Sequence, residues 1–188
     1  MQRSRGDDPT GDPGILSRPL KVVLRREEID RRIAELAAAI SRDYDGCEPV
    51  LIGVLKGCFV FMSDLVRKLD IPVEVEFIRL SSYGPARTTS GRVKLTHGIG
   101  TPLRGRHVLV VEDIVDTGLT IRFVLDYLRR KRPASIKACT LFDKPSRRLV
   151  EIRPDYVGFT IPDKFVVGYG LDCDEKWRHL PDLCELEE

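Results

Sequence analysis

The sequence lacks the cysteine patterns that staple a fold or hold a metal. Its five cysteines are Cys47, Cys58, Cys139, Cys173 and Cys184. The number is odd, no two are spaced C-x-x-C, and no Cys–His cluster has zinc-finger spacing, so they read as reduced thiols of a cytoplasmic protein. Cys58 and Cys139 fall in apolar runs, where a free Cys behaves as a small hydrophobe. No stretch reaches the roughly 18 apolar residues of a membrane helix. The arginines near the start lead into no apolar segment of the secretory kind. There is no surplus of charge either. Lys and Arg number 31 and Asp and Glu 29, a net charge of +2. That balance excludes a general nucleic-acid coat, which binds through many uncompensated cations. A Walker A loop, G-x-x-x-x-G-K-[ST], is also absent. What is present is 188 residues, 42% hydrophobic and 32% charged. That is one domain with enough apolar material for a real core.

Residues 1–19 read as a disordered tail. They hold six Gly or Pro and no large apolar residue between Met1 and Ile15, too little to offset the entropy of ordering. From Arg26 to Asp43, Ile29, Ile33, Leu36 and Ile40 recur at helical spacing. Val50–Leu55 is an apolar run read as a buried strand. A second helix is expected from Cys58 to Leu69, then a half-exposed strand over 73–77. Residues 81–92 form a polar loop of small residues, long enough to be functional. Val108–Val111 is the next buried strand, followed by an acidic loop and a helix over Leu119–Arg130. Further strands are expected at Ile136–Leu141, Tyr156–Thr160 and Phe165–Val167. Strands alternating with helices call for an α/β domain with a mostly parallel sheet and right-handed crossovers. Ligands of such sheets bind beyond the carboxyl ends of the strands. Three places therefore matter: Lys56-Gly57, the loop after Val111, and the loop after Leu141.

The loop after Val111 carries the sharpest signal. A hydrophobic strand runs into Glu112 and Asp113, then Asp116-Thr117-Gly118-x-Thr120 opens a helix. A helix N-terminus presents unpaired N–H groups and about half a positive charge. Gly118 permits close approach to the backbone, and Thr117 and Thr120 add hydroxyls, which together make a phosphate cradle. A bare phosphate site would not want two carboxylates beside it. They make sense if the ligand also presents vicinal hydroxyls or Mg²⁺, and a ribose 5-phosphate has that description. The bland alternative, solvated carboxylates at a strand end and a simple helix cap, suits any one of these residues better than it suits all of them. Asp116-Thr117-Gly118 also matches the aspartic-protease tripeptide, but those enzymes need two facing copies on an all-β frame. The strand resembles the start of a phospho-accepting receiver domain too, but the helix order that follows is wrong for one.

Glu112-Asp113-Ile-Val-Asp116-Thr117-Gly118-x-Thr120 resembles the phosphoribosyl-pyrophosphate signature of type I phosphoribosyltransferases. More narrowly, the chain resembles the hypoxanthine–guanine phosphoribosyltransferases from about residue 20 to 186. Three further motifs stand in the right order: Leu55-Lys56-Gly57, Ser82-Tyr83, and Ile161-Pro-Asp-Lys-Phe165-Val166-Val-Gly-Tyr-Gly-Leu-Asp172. The resemblance implies a mostly parallel sheet flanked by helices, with a small hood formed mainly by residues 155–188. It implies Mg²⁺-dependent transfer of 5-phosphoribosyl from phosphoribosyl pyrophosphate to hypoxanthine or guanine, with pyrophosphate released. Glu112 and Asp113 would hold ribose hydroxyls or metal, and Asp172 metal. Asp116 would be the general base near the purine N7. Thr117, Gly118, Leu119 and Thr120 would bind the 5-phosphate. Lys56, Gly57 and Arg178 would bind pyrophosphate, with the Leu55–Lys56 peptide cis as in relatives. Lys144 would reach the purine O6, Phe165 would stack on the ring, and Val166 would read its edge. Ser82 and Tyr83 would lie on a closing loop.

Departures from the family pattern are few. Leu119 stands where some relatives have Lys, so one cation fewer faces the phosphate. Trp177 reads as packing at the site's edge. Arg148 suits pyrophosphate, a subunit contact or a solvated face. The family also implies a homodimer or homotetramer, with no membrane or nucleic-acid partner. A pyrimidine-type relative acting as an RNA-binding regulator is the alternative, and Lys144 with Phe165-Val166 argues against it, because those residues suit a 6-oxopurine. A binding-only member is disfavoured, since every residue expected for the chemistry is present.

Overall fold

The hydrophobic runs build the central sheet of the computed structural model, which describes residues 19–82 and 93–187. After an N-terminal strand β1 (Leu20–Leu24) and helix α1 (Arg26–Asp43), the order is β2 (Val50–Leu55), α2 (Phe59–Val66), β3 (Glu74–Ser82), β4 (Val93–His97), β5 (His107–Val115), α3 (Leu119–Arg129), β6 (Ser135–Asp143) and β7 (Tyr156–Thr160). Two short strands, β8 (Val166–Val167) and β9 (Leu183–Leu186), close the chain. Six strands form one sheet in the order β4-β3-β2-β5-β6-β7. Only β4 runs antiparallel to its neighbour. The two faces are covered by different helices, as a buried parallel sheet requires. Leu51, Leu109, Val111 and Cys139 pack with Ile29, Ile33 and Ile40 of α1 and with Met62 and Leu65 of α2. The alternate residues Val50, Ile52, Val108 and Val110 pack with Ile121, Val124 and Leu128 of α3.

Strand order reverses between β2 and β5. From β2 the chain winds outward through β3 and β4. It then returns to β5 and winds the other way through β6 and β7. Such a switch point leaves a crevice at the carboxyl ends of the two strands. Here it falls between Lys56-Gly57 and Glu112-Asp113. Over it sits a second sheet of three antiparallel strands, β1-β9-β8. β1 joins the chain's beginning to its end, with Leu20 opposite Leu186 and Val22 opposite Cys184.

Several elements differ in extent from the sequence expectation. α1 and β7 have the expected bounds. α2 is shorter: Lys68 N–H bonds the Leu65 carbonyl at 3.0 Å, a tight last turn that lets the chain leave before Pro72. β3 is longer than 73–77 because β4 pairs with its far half, Leu80 opposite Leu95. Ser81 and Ser82 therefore belong to a strand. The rest of the polar loop, with Tyr83, lies outside the described residues, as do residues 1–18.

Candidate active site

β5 does not end at Val111. Its ladder with β6 continues through Glu112 opposite Thr140, Ile114 opposite Phe142 and Val115 opposite Asp143. The acidic segment is therefore strand, and its two carboxylates point to opposite faces. Both are buried, at 6% and 8% exposure, and among the described residues Glu112 Oε2 has no hydrogen-bond partner. Burial, and then the neighbouring Asp113 charge, hold the Glu112 carboxyl well above its usual range. Burial pushes Asp113 up to about 6, against the backbone N–H groups of Asp113 and Ile114 and the Arg178 guanidinium, which pull it down. A buried carboxylate without a counter-charge costs stability, so the pair is held at an energetic disadvantage in the free protein.

The sign of this effect is checkable. The folded state keeps the Asp113 proton to a higher pH than the unfolded chain does. Stability therefore falls as pH rises from 3.8 to about 6 and stays reduced above it. Urea unfolding at pH 5 and pH 8 should show Asp113→Asn losing less stability over that interval than the parent. Equal losses would mean that the carboxyl is not disfavoured in the fold.

Past Val115 the chain turns into α3 through Asp116, Thr117 and Gly118. Gly118 has φ +82, and a Cβ there would lie 2.7 Å from Ile152 Cγ2, so both conformation and space demand glycine. The turn is clamped from the segment after β6. Arg148 Nη1 donates to the carbonyls of Val115 at 2.7 Å and Asp116 at 2.5 Å. Its other nitrogen pairs with Asp143, and Leu149 N–H donates to the Thr117 carbonyl at 3.0 Å. Arg148 is thus turned inward as a backbone clamp. Its neighbour Arg147 points outward, with Nε 2.9 Å from Asp116 Oδ1 and Nη1 3.1 Å from Asp163. Among the described residues Asp116 Oδ1 has no partner beyond this ion pair.

The facing wall begins at Lys56-Gly57, where the Leu55–Lys56 peptide is cis. A Cβ on Gly57 would sit 1.7 Å from Asp113 Oδ2: backbone and carboxylate touch across the switch point. Gly170, at φ +96, packs on the Gly57 carbonyl from the other side. The hood loop there carries Asp172 and Arg178, ion-paired at 2.7 Å, and Arg178 Nη1 also donates to the Gly170 carbonyl at 2.8 Å. Lys56 Nζ meets Glu175 at 2.8 Å. Lys144 is buried at 6% exposure, and its ammonium donates to the Lys164 carbonyl at 2.5 Å. Burial lowers its proton affinity, while Asp116 and Asp163 partly restore it. Phe165 is 56% exposed, a large apolar ring left open.

Lys56, Gly57, Asp113, Asp116, Lys144, Phe165, Val166, Asp172 and Arg178 line one cavity of about 350 Å³. An adjoining cavity of about 210 Å³ is lined by residues 112–118 with Thr120 and Ile121. Asp113 and Asp116 border both. Leu119 opens α3 without lining either cavity. Ser82 ends β3, and Tyr83 is not described.

Residues 21–174 match the phosphoribosyl transferase domain family. The hypoxanthine-guanine phosphoribosyltransferase of Aquifex aeolicus is 46% identical over 93% of this chain and 98% of its own. The chain belongs to the hypoxanthine–guanine branch of the type I phosphoribosyltransferase family. The enzyme of that name from Bacillus subtilis is 45% identical over 89% of this chain and 93% of its own. In three dimensions, a crystal structure of a hypoxanthine-guanine phosphoribosyltransferase from Bacillus anthracis, with HEPES in its active site, superposes with a TM-score of 0.86. It is 46% identical and covers 90% of this chain and all of that one. The expected fold, a mostly parallel sheet flanked by helices, is the one found.

Within this family frame, sequence reading left Arg148 open between pyrophosphate, a subunit contact and a solvated face, and missed Asp143 and Glu175. Asp143 ends β6 and Arg148 lies in the loop just beyond it, both past Leu141, one of the three places marked from the sheet rule. The side-chain direction that separates Arg147 from Arg148 is set by tertiary packing and leaves no local signal.

Proposed function

We propose that the chain transfers 5-phosphoribosyl from phosphoribosyl pyrophosphate to hypoxanthine or guanine, releasing pyrophosphate and giving the nucleoside 5′-monophosphate. The observation that carries this is the pair of abutting cavities sharing Asp113 and Asp116. One is bounded by the α3 N-terminus and suits a ribose 5-phosphate. The other has an open Phe165 ring, the Lys144 ammonium and the cations Lys56 and Arg178, and suits a purine beside a pyrophosphate. Thr117, Gly118, Leu119 and Thr120 hold the 5-phosphate through backbone N–H groups and hydroxyls. Glu112 and Asp113 receive the ribose hydroxyls, which relieves the unpartnered Oε2 of Glu112. Lys144 donates to the purine O6, Phe165 stacks on the ring, Val166 reads its edge, and Asp116 accepts the proton from N7.

The residues fit Mg²⁺. Among the described residues no cluster of three His, Cys, Asp or Glu forms a cage. Mg²⁺ is commonly held by one or two carboxylates together with substrate phosphates, and Asp172 with Glu112 or Asp113 offers oxygen donors of that kind. Bound there, the ion would neutralise charge on the leaving pyrophosphate. No described helix is long and apolar enough to cross a membrane. Cytoplasmic location and a homodimer or homotetramer complete the proposal, with no nucleic-acid partner.

The test is turnover. With Mg²⁺ and phosphoribosyl pyrophosphate, the protein should convert hypoxanthine or guanine to nucleotide far faster than adenine or uracil. Absence of product from both 6-oxopurines would overturn the assignment.

A further inference from the structure

Asp64 lies on α2, outside both cavities, and is buried at 6% exposure. Its carboxylate gathers partners from three parts of the chain. Oδ2 receives the Tyr169 hydroxyl of the hood loop at 2.5 Å and the Arg26 guanidinium of α1 at 2.9 Å. Oδ1 pairs with Arg67. The Arg26 guanidinium also lies over the Tyr169 ring, 5.2 Å from its centre. Arg26 N–H donates to Asp182 Oδ1 at 2.7 Å, which ties the start of α1 to the same hood.

Tyr169 is 1% exposed, yet its backbone is left-handed, at φ +49 between Gly168 at +93 and Gly170 at +96. The two glycines take that region freely, but a tyrosine there is held against its preference. It is held by contacts at each residue. Gly168 N–H donates to the Leu171 carbonyl, and Tyr169 N–H to that of Leu180. Gly170 N–H donates to the Arg178 carbonyl at 3.0 Å, while the Gly170 carbonyl receives Arg178 Nη1. Beyond Tyr169 this short loop has Gly170 against the Gly57 carbonyl, then Asp172. The element that carries Asp64 begins just after Gly57. The Asp64–Tyr169 bond therefore closes a ring: Gly57, α2, Asp64, Tyr169, Gly170 and back to Gly57.

We infer that Asp64, through Tyr169, is a positioning residue for the pyrophosphate subsite, fixing the loop of Gly170, Asp172 and Arg178 against Lys56-Gly57. The inference deepens the proposed function and rests on it. Phe165 and Lys144 reach the cavity from outside this ring, so the purine side is held independently.

The test compares two variants that lose the same kind of bond. Tyr169→Phe removes the hydroxyl that Asp64 accepts. Tyr156→Phe removes a hydroxyl donated to Asp43 Oδ2 at 2.5 Å, at the start of β7, away from the carboxyl ends of the strands. Kinetics are measured well below both unfolding midpoints. Tyr169→Phe should raise KM for phosphoribosyl pyrophosphate about tenfold, the loss of one hydrogen bond to a charged group, with KM for hypoxanthine within about twofold. Tyr156→Phe should leave both constants unchanged. An unchanged phosphoribosyl-pyrophosphate KM in Tyr169→Phe, or equal rises in both variants, would overturn the inference and leave Asp64 as a stabilising residue only. If the parent protein itself turned over no 6-oxopurine, the functional assignment would fail and this inference with it.

Discussion

Asp116→Asn is expected to lower kcat by about two to four orders of magnitude, the usual contribution of a positioned general base. Phosphoribosyl-pyrophosphate binding should stay within a few-fold. The split follows from how the turn is held. Its backbone is fixed by Arg148 on the carbonyls of Val115 and Asp116 and by Leu149 on the carbonyl of Thr117. None of these contacts uses the Asp116 side chain, so Asn leaves the proposed phosphate cradle in place. What Asn removes is the charge-bearing oxygen of the proposed base. The Arg147 contact it also removes is between half-exposed groups and is worth little, about 0–1 kcal/mol. Single-turnover kinetics beside calorimetric titration with phosphoribosyl pyrophosphate measure the two halves separately. A kcat within threefold of the parent would remove Asp116 from the role of base. A loss confined to binding would make it part of the cradle.

Much of this site could be read before the fold was known, and the unread part has a common physical character. Periodicity placed α1 because its buried face, Ile29 to Ile40, is local information. The buried strands were legible as apolar runs, and the sheet rule pointed to their carboxyl ends. β5 was cut short at Val111 because two adjacent carboxylates look solvated. In the fold they are buried, since β6 continues beside them and a ligand site needs them there. β1 and β9 escaped notice because each is a short strand whose partner lies at the other end of the chain. Arg147 and Arg148 are neighbours of the same type with opposite fates, one outward on Asp116 and one inward on backbone carbonyls. Asp64 was an ordinary polar position on a helix until Tyr169, far along the chain, came to rest on it. Local pattern thus pointed to the candidate site, while the contacts that hold it in register are long-range.

The second large effect is expected at Gly57. Gly57→Ala should lower kcat/KM at least about a hundredfold, the scale of a displacement near 1 Å in a reacting site. The added methyl would stand 1.7 Å from Asp113 Oδ2 and 2.5 Å from its Cγ, so something must move. Asp113 lies on β5, buried, facing the Gly57 backbone. Swinging it away removes one proposed ribose or metal ligand. If the turn moves instead, Lys56 shifts and the Gly57 carbonyl leaves its packing on Gly170, which disturbs the loop of Asp172 and Arg178. Both relaxations damage the same subsite, so the substitution has no harmless way to settle. Overpacking of this kind costs about 1–3 kcal/mol of stability, and a drop in the unfolding midpoint should accompany the loss. The two effects separate under calorimetry. In Gly57→Ala that is still folded at the assay temperature, Mg²⁺–pyrophosphate should bind at least tenfold more weakly. Retained turnover, within threefold of the parent, would show that Asp113 and the Lys56-Gly57 turn need not abut for catalysis.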